Sequence, residues 1–284
     1  MSLQYIKTYT YKNLFSLQSV AFQAACVFNQ PEQVLGYSIY WIKQGKGTYH
    51  IDFKTYDFQD NVLLFLSPGQ VFSVASEQIK EAYKITFTKD FYCIQTHDQA
   101  VACNGVLFNN VYEIPFVKPC KSDTQKLHFI MNSLMEEFQR NEVAQHDMLQ
   151  AYLKQFIIVS VRIQKEQASV KTDVETKLFK DFSTLVEMNF KSLHKVSDYA
   201  NRLGLSPKSL TKNFQRVGVE SPSDFIKNRV LLEAKRQLKY SSNPVKEIAY
   251  DLGFNDAAYF SRFFTKAVQQ SPLQFRKENE TIIR

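Results

Sequence analysis

The sequence predicts an α+β protein of two domains, with a β-rich N-terminal half and an all-helical C-terminal half. Three observations lead to this prediction. Residues 1 to about 117 contain short β-branched and aromatic runs broken by turn residues, which is typical of a small barrel or sandwich. After residue 122, apolar residues recur at helical spacing instead. Near the C-terminus a helix-turn-helix pattern occurs twice, which indicates a duplicated unit.

The clearest strand signals lie in the middle of the first half. Tyr37–Gln44 and Thr48–Phe53 flank Gly45-Lys46-Gly47, and this pattern is typical of a β-hairpin. Further extended segments are predicted at Val62–Leu66, Val71–Ala75, Ala82–Thr88, Phe91–Gln95 and Asn110–Val117.

Residues 122–164 predict an antiparallel helical hairpin with its bend at Asn141–His146. The hairpin can cover the β-rich part with one apolar face, or it can pair with a second copy of the chain. The sequence of the hairpin does not decide between covering the β-rich part and pairing with a second copy. A polar stretch, 166–176, reads as a linker. The expected domains are therefore 1–165 and 177–284.

Residues 245–268 predict a helix-turn-helix unit. The apolar face of its first helix consists of Val245, Ile248, Ala249 and Leu252. Gly253 suits the turn, because glycine readily takes positive φ, and Asn255 or Asp256 can cap the second helix. The buried stripe of that helix consists of Phe260, Phe264, Ala267 and Val268.

Residues 196–217 repeat the same pattern. Val196, Ala200 and Leu203 match Val245, Ala249 and Leu252 at a separation of 49 residues, and Leu210 and Phe214 match Phe260 and Phe264 at 50. A repeat that keeps buried positions and changes exposed ones indicates duplication. A long helix is predicted between the units at Ser223–Tyr240, capped by Ser221. Its eighteen or so residues span about 27 Å.

The net charge of the chain is concentrated in the same C-terminal half that contains the repeat. Residues 177–284 contain 19 Lys and Arg against 11 Asp and Glu, a net of +8, whereas the whole chain carries +7. The basic excess therefore lies wholly in the helical half and suggests a polyanion partner. The four cysteines have no short paired spacing, so no metal knuckle is expected. A signal-type core and long apolar runs are missing from the sequence, which favours a cytoplasmic protein without membrane spans.

Four segments of the second half carry a family resemblance. VSDYANRLGLSPKSLTKNFQ, SPSDFIKNRVLLEAKRQL, KEIAYDLGFNDAAYFSRFF and SPLQFR occur in that order, and this half resembles the AraC/XylS family of bacterial transcription regulators. The first half matches through GKGTYHIDF and LSPGQVF. One departure concerns the helix ends, where Val219 and Gln269 stand in place of the family's glycine and Gly218 lies one position early.

The resemblance implies both a fold and a function. The fold is a cupin-like β-barrel with a helical hairpin, followed by two helix-turn-helix units joined by a long helix. The units would insert their second helices into successive major grooves of double-stranded DNA. The N-terminal domain would bind a small-molecule effector and form a homodimer through helices 122–164. RNA polymerase is the further implied partner, and no cofactor is implied.

The resemblance also nominates groove-facing residues by matching position. The predicted base contacts are Lys208, Thr211, Lys212, Ala257, Ala258, Ser261 and Arg262. A helical wheel agrees, because it turns Lys208 and Lys212 outward from one unit and Ala258 and Arg262 outward from the other. Such side chains can donate to guanine, bond to several bases or touch a thymine methyl. Arg262 is the best candidate for base readout, and a phosphate contact is its alternative.

A second set of polar and basic residues can meet the DNA backbone. The predicted phosphate contacts are Gln215, Lys227, Arg229, Lys235, Arg236, Lys246, Thr265 and Lys266. For at least half of the Lys and Arg residues in this set, the simpler interpretation is that they lie on a solvated helix face and do not contact DNA.

Two other functions compete with DNA binding. A metal-dependent barrel enzyme would need clustered ligands, but His50 and His97 are scattered and no catalytic motif accompanies them, so no enzyme is expected. A ligand-binding protein would need a pocket. The aromatic candidates for an effector pocket are Tyr37, Tyr40, Trp41, Tyr49, Phe65 and Phe72, and an ordinary packed core is the alternative reading.

Overall fold

A computed structural model describes residues 3–11, 14–23, 30–75, 79–92, 107–108, 116–140, 142–167 and 173–279. The chain divides into two compact units, Met1–Val170 and Lys171–Arg284. The helices on either side of this division extend into the predicted linker, since one ends at Gln167 and the next begins at Asp173. Among the described residues, no helix is both long enough and apolar enough to cross a membrane.

The N-terminal unit contains two antiparallel sheets. Their strands are β1 (Leu3–Tyr11), β2 (Leu14–Gln23), β3 (Glu32–Gln33), β4 (Tyr37–Gln44), β5 (Lys46–Ile51), β6 (Lys54–Gln59), β7 (Val62–Leu66), β8 (Val71–Ala75), β9 (Glu81–Phe87) and β10 (Phe116–Val117). The six-stranded sheet has the order β1-β2-β9-β4-β7-β10, and the four-stranded sheet has the order β3-β8-β5-β6. Over the described strands, the sheets are stacked layers and do not close into the predicted barrel.

The predicted hairpin around Gly45 is wrong. β4 pairs with β7 and β9 in one sheet, whereas β5 pairs with β6 and β8 in the other. Gly45, with φ of 151°, lies where the chain crosses from the six-stranded sheet to the four-stranded sheet. Its N–H donates to Asp60 Oδ1 at 2.7 Å. The physical reason is that β4 is buried along both faces, so it takes partners on both edges like a central strand.

Of the extended segments predicted at Phe91–Gln95 and Asn110–Val117, the described residues of the first do not form a strand, and those of the second do. Phe91 and Tyr92 lie in a buried turn after β9, and the rest of Phe91–Gln95 falls outside the described residues. Of Asn110–Val117, the described Phe116 and Val117 form β10.

Two apolar cores lie on opposite faces of the six-stranded sheet. One fills the space between the sheets, and Tyr40 and Phe72 belong to it. The other lies against α1 (Lys121–Glu137) and α2 (Gln145–Gln167), where Trp41 packs beside Phe156 with ring centroids 6.1 Å apart. The helical hairpin therefore covers the sheet with one apolar face, as the first of its two predicted uses requires.

The C-terminal unit is all helical. Its helices are α3 (Asp173–Asn189), α4 (Val196–Arg202), α5 (Pro207–Val217), α6 (Pro222–Tyr240), α7 (Val245–Asp251), α8 (Ala257–Val268) and α9 (Pro272–Asn279). The pairs α4–α5 and α7–α8 are the two predicted helix-turn-helix units, and α6 is the long helix between them. Its 19 residues span about 28 Å.

Aromatic side chains form the core of each helix-turn-helix unit. In the first unit, the Phe182 ring lies 4.9 Å from Phe214 and 5.7 Å from Tyr199. In the second unit, Phe264 packs against Phe260 and Phe275. Phe214 and Phe264 occupy matching positions of the repeat, so the repeat keeps this aromatic core position in both units.

Candidate nucleic-acid interface

Helix α5 is capped at both ends by the residues that flank it. The Ser206 hydroxyl accepts a hydrogen bond from the Ser209 N–H at 3.1 Å, and Pro207 occupies the first turn, where no backbone donor is needed. At the other end Gly218 takes a left-handed conformation with φ of 71°. Although this glycine is shifted by one position relative to the family pattern, it closes the helix in the usual way.

Helix α8 is capped well at its start and poorly at its end. Asp256, one of the two predicted caps, accepts a hydrogen bond from the Tyr259 N–H. Gln269 stands at the C-terminal cap with φ of 63°. A left-handed conformation costs a non-glycine residue about 1–2 kcal/mol. The Gln269 amide donates back to the Lys266 carbonyl at 3.0 Å and offsets part of that cost.

The outward face of α5 has the composition predicted for it. Lys208, Lys212 and Gln215 are exposed, and Thr211 is half-buried beside them. The Thr211 hydroxyl donates to the Pro207 carbonyl at 2.9 Å, so its hydrogen is already used within the helix.

The outward face of α8 repeats this arrangement. Ala258 and Arg262 are exposed, and Ala257 and Ser261 are half-buried. Ser261 occupies the position that matches Thr211, and its hydroxyl likewise donates to the carbonyl four residues earlier, at 2.8 Å. The two second helices therefore present the same pattern: a long cationic side chain next to a hydroxyl that can only accept in this rotamer.

Electrostatic character unites the two helices. α5 contains the cations Lys208, Lys212 and Arg216, α8 contains Arg262 and Lys266, and neither helix contains Asp or Glu. A helix of about 10 Å diameter with no carboxylate and several cations fits an anionic groove of about 12 Å width. The chemistry of both helices thus favours the major groove of DNA.

The sequence reasoning missed one residue on this face. Tyr259 is 58% exposed on the first turn of α8, three residues before Arg262. A spacing of three places two residues on neighbouring positions of a helix surface, so this spacing was the available signal. The Tyr259 ring rests 5.9 Å from Phe254, which supports it from beneath.

Two predicted phosphate contacts are wrong. Arg229 and Arg236 lie inside the domain, with 4% and 2% of their surface exposed. Arg229 Nε donates to Glu187 Oε1 at 2.7 Å, and both arginines contact Glu233 Oε2, at 3.3 and 3.2 Å. Arg229 thus joins α6 to α3, Arg236 pairs within α6, and neither buried charge can reach a phosphate.

This buried ion-pair network shifts the ionisation of its carboxylate. Burial alone would raise the pKa of Glu233, but Arg229 and Arg236 outweigh it and hold the pKa below its usual value. The Arg229 guanidinium also stacks 3.7 Å above the Phe190 ring. Removing one partner would leave a buried charge without compensation, which typically costs 3–5 kcal/mol, about the effect of a large core deletion.

The other predicted phosphate contacts remain accessible. Gln215, Lys227, Lys246, Thr265 and Lys266 are exposed, and Lys235 is half-buried. Lys227 Nζ lies 3.5 Å from Asp224 Oδ1, a distance at which an exposed pair exchanges readily for another anion. These side chains stay predictions as phosphate ligands.

The six aromatic residues predicted for an effector pocket do not come together. Tyr37, Trp41 and Phe65 face the helical hairpin, whereas the remaining three face the space between the sheets. That second group consists of Tyr40, Tyr49 and Phe72. Because side chains alternate across a strand, one cavity cannot be lined by both groups. The Tyr40 and Phe72 rings are 4.3 Å apart, in direct packing contact.

The histidines of the alternative metal site are not brought together either. His50 lies on β5, where its Nδ1 pairs with Thr55 Oγ1 at 3.0 Å, and His97 falls outside the described residues. Within the described part of the chain, no group of three or more His, Cys, Asp or Glu side chains could hold a metal ion.

Known proteins are similar to this chain over the region that contains α5 and α8. The family described as "Helix-turn-helix domain" matches residues 199–278. The uncharacterized HTH-type transcriptional regulator YfiF of Bacillus subtilis (strain 168) is 22% identical over 246 residues, covering 84% of this chain and 76% of that protein. The HTH-type transcriptional activator RhaS of Yersinia pestis bv. Antiqua (strain Angola) is 30% identical over 112 residues, covering 39% of this chain and 41% of RhaS. The crystal structure of ToxT from Vibrio cholerae aligns over 99% of both chains with 16% identity and a TM-score of 0.43.

Proposed function

We propose that the chain is a transcription regulator of the AraC type that binds double-stranded DNA at specific sequences, and the match of residues 199–278 to a helix-turn-helix domain supports this. The observation that carries the proposal is the matched pair α5 and α8. Each is the second helix of a unit, each is capped at its start, and each presents cations and hydroxyls without a carboxylate. Such a pair reads two successive major grooves from one face of the duplex.

Lys212 and Arg262 are the proposed guanine readers. They occupy matching positions of the two units, both are exposed, and neither has an acidic neighbour on its own helix. A guanidinium can donate to guanine O6 and N7 at once, whereas an ammonium offers a single point of charge. We therefore assign the stronger base preference to the second unit.

Thr211 and Ser261 are proposed to accept hydrogen bonds from bases. Their hydroxyl hydrogens are donated to helix carbonyls, at 2.9 and 2.8 Å, so each oxygen keeps its lone pairs for an incoming donor. In the major groove the available donors are adenine N6 and cytosine N4. Next to them, the small side chains of Ala257 and Ala258 allow α8 to approach a thymine methyl. Lys208, in the first turn of α5, is proposed to donate a hydrogen bond to a base at the edge of the site that the first unit reads.

The phosphate contacts are proposed for the accessible polar residues, Gln215, Lys227, Lys235, Lys246, Thr265 and Lys266. Each would hold the duplex without reading its sequence, and each released counterion would steepen the salt dependence of binding.

Regulation and partners are proposed from the family resemblance. RhaS is named a transcriptional activator, which supports a role in activation. Contact with RNA polymerase and a location in the cytoplasm are proposed from the family resemblance alone. Homodimerisation is proposed through the helices of residues 122–164, and Phe129 of α1, which is 72% exposed, supports this. A small-molecule effector is proposed for the N-terminal unit, and a screen for ligands that raise its melting temperature tests this.

The proposed function is tested by selecting duplexes from a random pool with the full-length chain. We expect enrichment of one bipartite sequence, with a Kd at least about 10³-fold below that for a scrambled duplex. Recovery of no enriched sequence at low salt, from a chain that is folded by circular dichroism, would contradict the proposal.

A further inference from the structure

The segment from Phe190 to Lys195 joins α3 to α4 and so enters the first helix-turn-helix unit. We call it the bridging segment, because it packs against the turn of the second unit. Two contacts attach the bridging segment to α4 and α6. The Tyr199 hydroxyl, on α4, donates to the Leu193 carbonyl at 2.8 Å, and the Arg229 guanidinium of α6 covers the Phe190 ring.

One carboxylate joins the bridging segment to the second unit. Asp251, the last residue of α7, accepts from Lys191 Nζ at 2.7 Å and from Gln237 Nε2 at 2.6 Å. The bridging segment, α6 and α7 therefore meet at a single side chain. Burial alone would raise the pKa of Asp251, but its bonds to Lys191 and Gln237 lower it below the usual value, so the carboxylate is charged at neutral pH.

The backbone of the bridging segment also touches the second turn. A Cβ atom added to Gly253 would lie 2.0 Å from the Lys191 carbonyl oxygen, a distance that no side chain can occupy. Beside it, the His194 ring packs on Phe254 with centroids 4.9 Å apart. The second turn and the bridging segment are thus in close backbone contact.

The equivalent turn of the first unit has no such neighbour. Gly204 takes the same left-handed conformation as Gly253, with φ of 69° against 77°, but an added Cβ would meet no atom of the described residues within 4 Å. The contact is therefore not a general feature of the repeated unit. It exists only where the entry to the first unit crosses the turn of the second.

We infer that the bridging segment, through Lys191 and Asp251, sets the relative orientation of the two recognition helices and so the spacing of the two DNA half-sites that the chain accepts. This rests on the proposed function. Helix α6 joins the units through the short connections 218–221 and 241–244, which lie outside helices. Arg276 of α9 holds the second connection by donating to the Asn243 carbonyl at 2.7 Å. The bridging segment adds a direct contact between the two units beside these connections. Lys191 and Asp251 are positioning residues and need not touch DNA.

The spacing of the half-sites gives a sensitive readout. One inserted base pair moves a half-site by about 3.4 Å along the helix axis and rotates it by about 35°. A braced pair of recognition helices cannot follow this rotation, whereas an unbraced pair can adjust through its connections.

The experiment compares binding to the selected duplex with binding to duplexes that carry one base pair more or fewer between the half-sites. Lys191→Ala and Asp251→Asn each remove the ion pair, with opposite changes of net charge. The doubly exchanged variant K191D/D251K restores it in reverse. Lys195→Ala is the matched control, because Lys195 is an exposed cation of the same segment without a contact to Asp251. Both ion-pair side chains are 47% exposed, so these variants are expected to stay folded.

We expect the natural chain and Lys195→Ala to bind the selected spacing at least about tenfold better than the altered spacings. Lys191→Ala and Asp251→Asn should reduce that ratio to about threefold or less, and the exchanged pair should recover most of it. Unchanged ratios in both single variants would overturn the inference. A natural chain that selects no bipartite site would instead contradict the proposed function, so the two failures are distinguishable.

Discussion

The two helix-turn-helix units share a core pattern but differ in what surrounds their turns. The first turn is open around Gly204, and its second helix ends on a glycine, Gly218. The second turn is pressed against the bridging segment at Gly253, and its second helix ends on the left-handed residue Gln269. The comparison shows that duplication kept the residues that fold each unit, while the fold around the units decided which glycines became indispensable.

The largest expected difference concerns the two turn glycines. Gly253→Ala should destabilise the domain by about 3–5 kcal/mol, because overpacking against the Lys191 carbonyl adds to left-handed strain. Gly204→Ala has the strain alone and should cost about 1–2 kcal/mol. Urea unfolding of the two variants measures both values. Equal losses would show that the second turn is not in backbone contact with its neighbour.

Base readout gives the next difference, between the matching residues Arg262 and Lys212. Arg262→Ala should cost about 1–3 kcal/mol of binding free energy and relax the preference at one base position. Lys212→Ala should cost less, because a lysine makes a less directional contact with guanine. Competition against duplexes that are mutated one base at a time separates the two cases. If Arg262→Ala weakens all duplexes alike, Arg262 is a phosphate ligand instead.

A smaller effect is expected at the ends of α5 and α8. Gln269→Gly should stabilise the domain by about 0.5–1 kcal/mol, because glycine relieves left-handed strain but adds entropy to the unfolded chain. The reverse exchange, Gly218→Gln, has open space around it and should destabilise by about 1–2 kcal/mol. Thermal unfolding checks both changes. A loss of stability in Gln269→Gly would mean that the Gln269 bond to the Lys266 carbonyl outweighs the strain.

The smallest effect is the pH response of the bridging segment. Burial lowers the pKa of His194 below 6.5, although the Leu252 and Phe190 carbonyls partly oppose it. The unfolded chain then takes up the proton first, so stability is complete above about pH 6.5 and is lost as pH falls through the lower folded pKa. His194→Gln should show a smaller fall in melting temperature between about pH 7.5 and about pH 5. An identical fall would mean that His194 does not contribute.

Much of the C-terminal domain was predictable because its signals are local. Helix periodicity, the caps Ser221 and Asp256, and the turn glycine Gly253 all act within a few residues. The structure confirms them, except that Ala267 of the predicted α8 stripe is exposed. Exposure on α5 and α8 followed from the helical wheel for the same reason. The prediction that Arg229 and Arg236 of α6 contact phosphate was wrong, because the burial of a side chain depends on elements that are distant in the sequence. Arg229 and Arg236 look like solvated cations until Glu187 of α3 is placed beside them.

The N-terminal unit was harder to predict. The sequence predicts β4 and its neighbours as strands, but it also predicts a hairpin turn at Gly45, where the structure leads the chain from one sheet to the other. A turn signal shows that the chain changes direction, and it does not show which strands then pair. For the same reason the six pocket candidates could not be sorted into two faces before the sheet was known. The contact of Lys191 with Asp251 spans sixty residues and left no local pattern.

A footprint of the full-length chain on its selected duplex tests most directly whether two matched units read one extended site. The account predicts two protected major-groove patches on the same face of the duplex, with centres about 10–10.5 base pairs apart. Arg262→Ala should weaken protection of one patch and leave the other in place. A single protected patch, or two patches on opposite faces, would contradict the account.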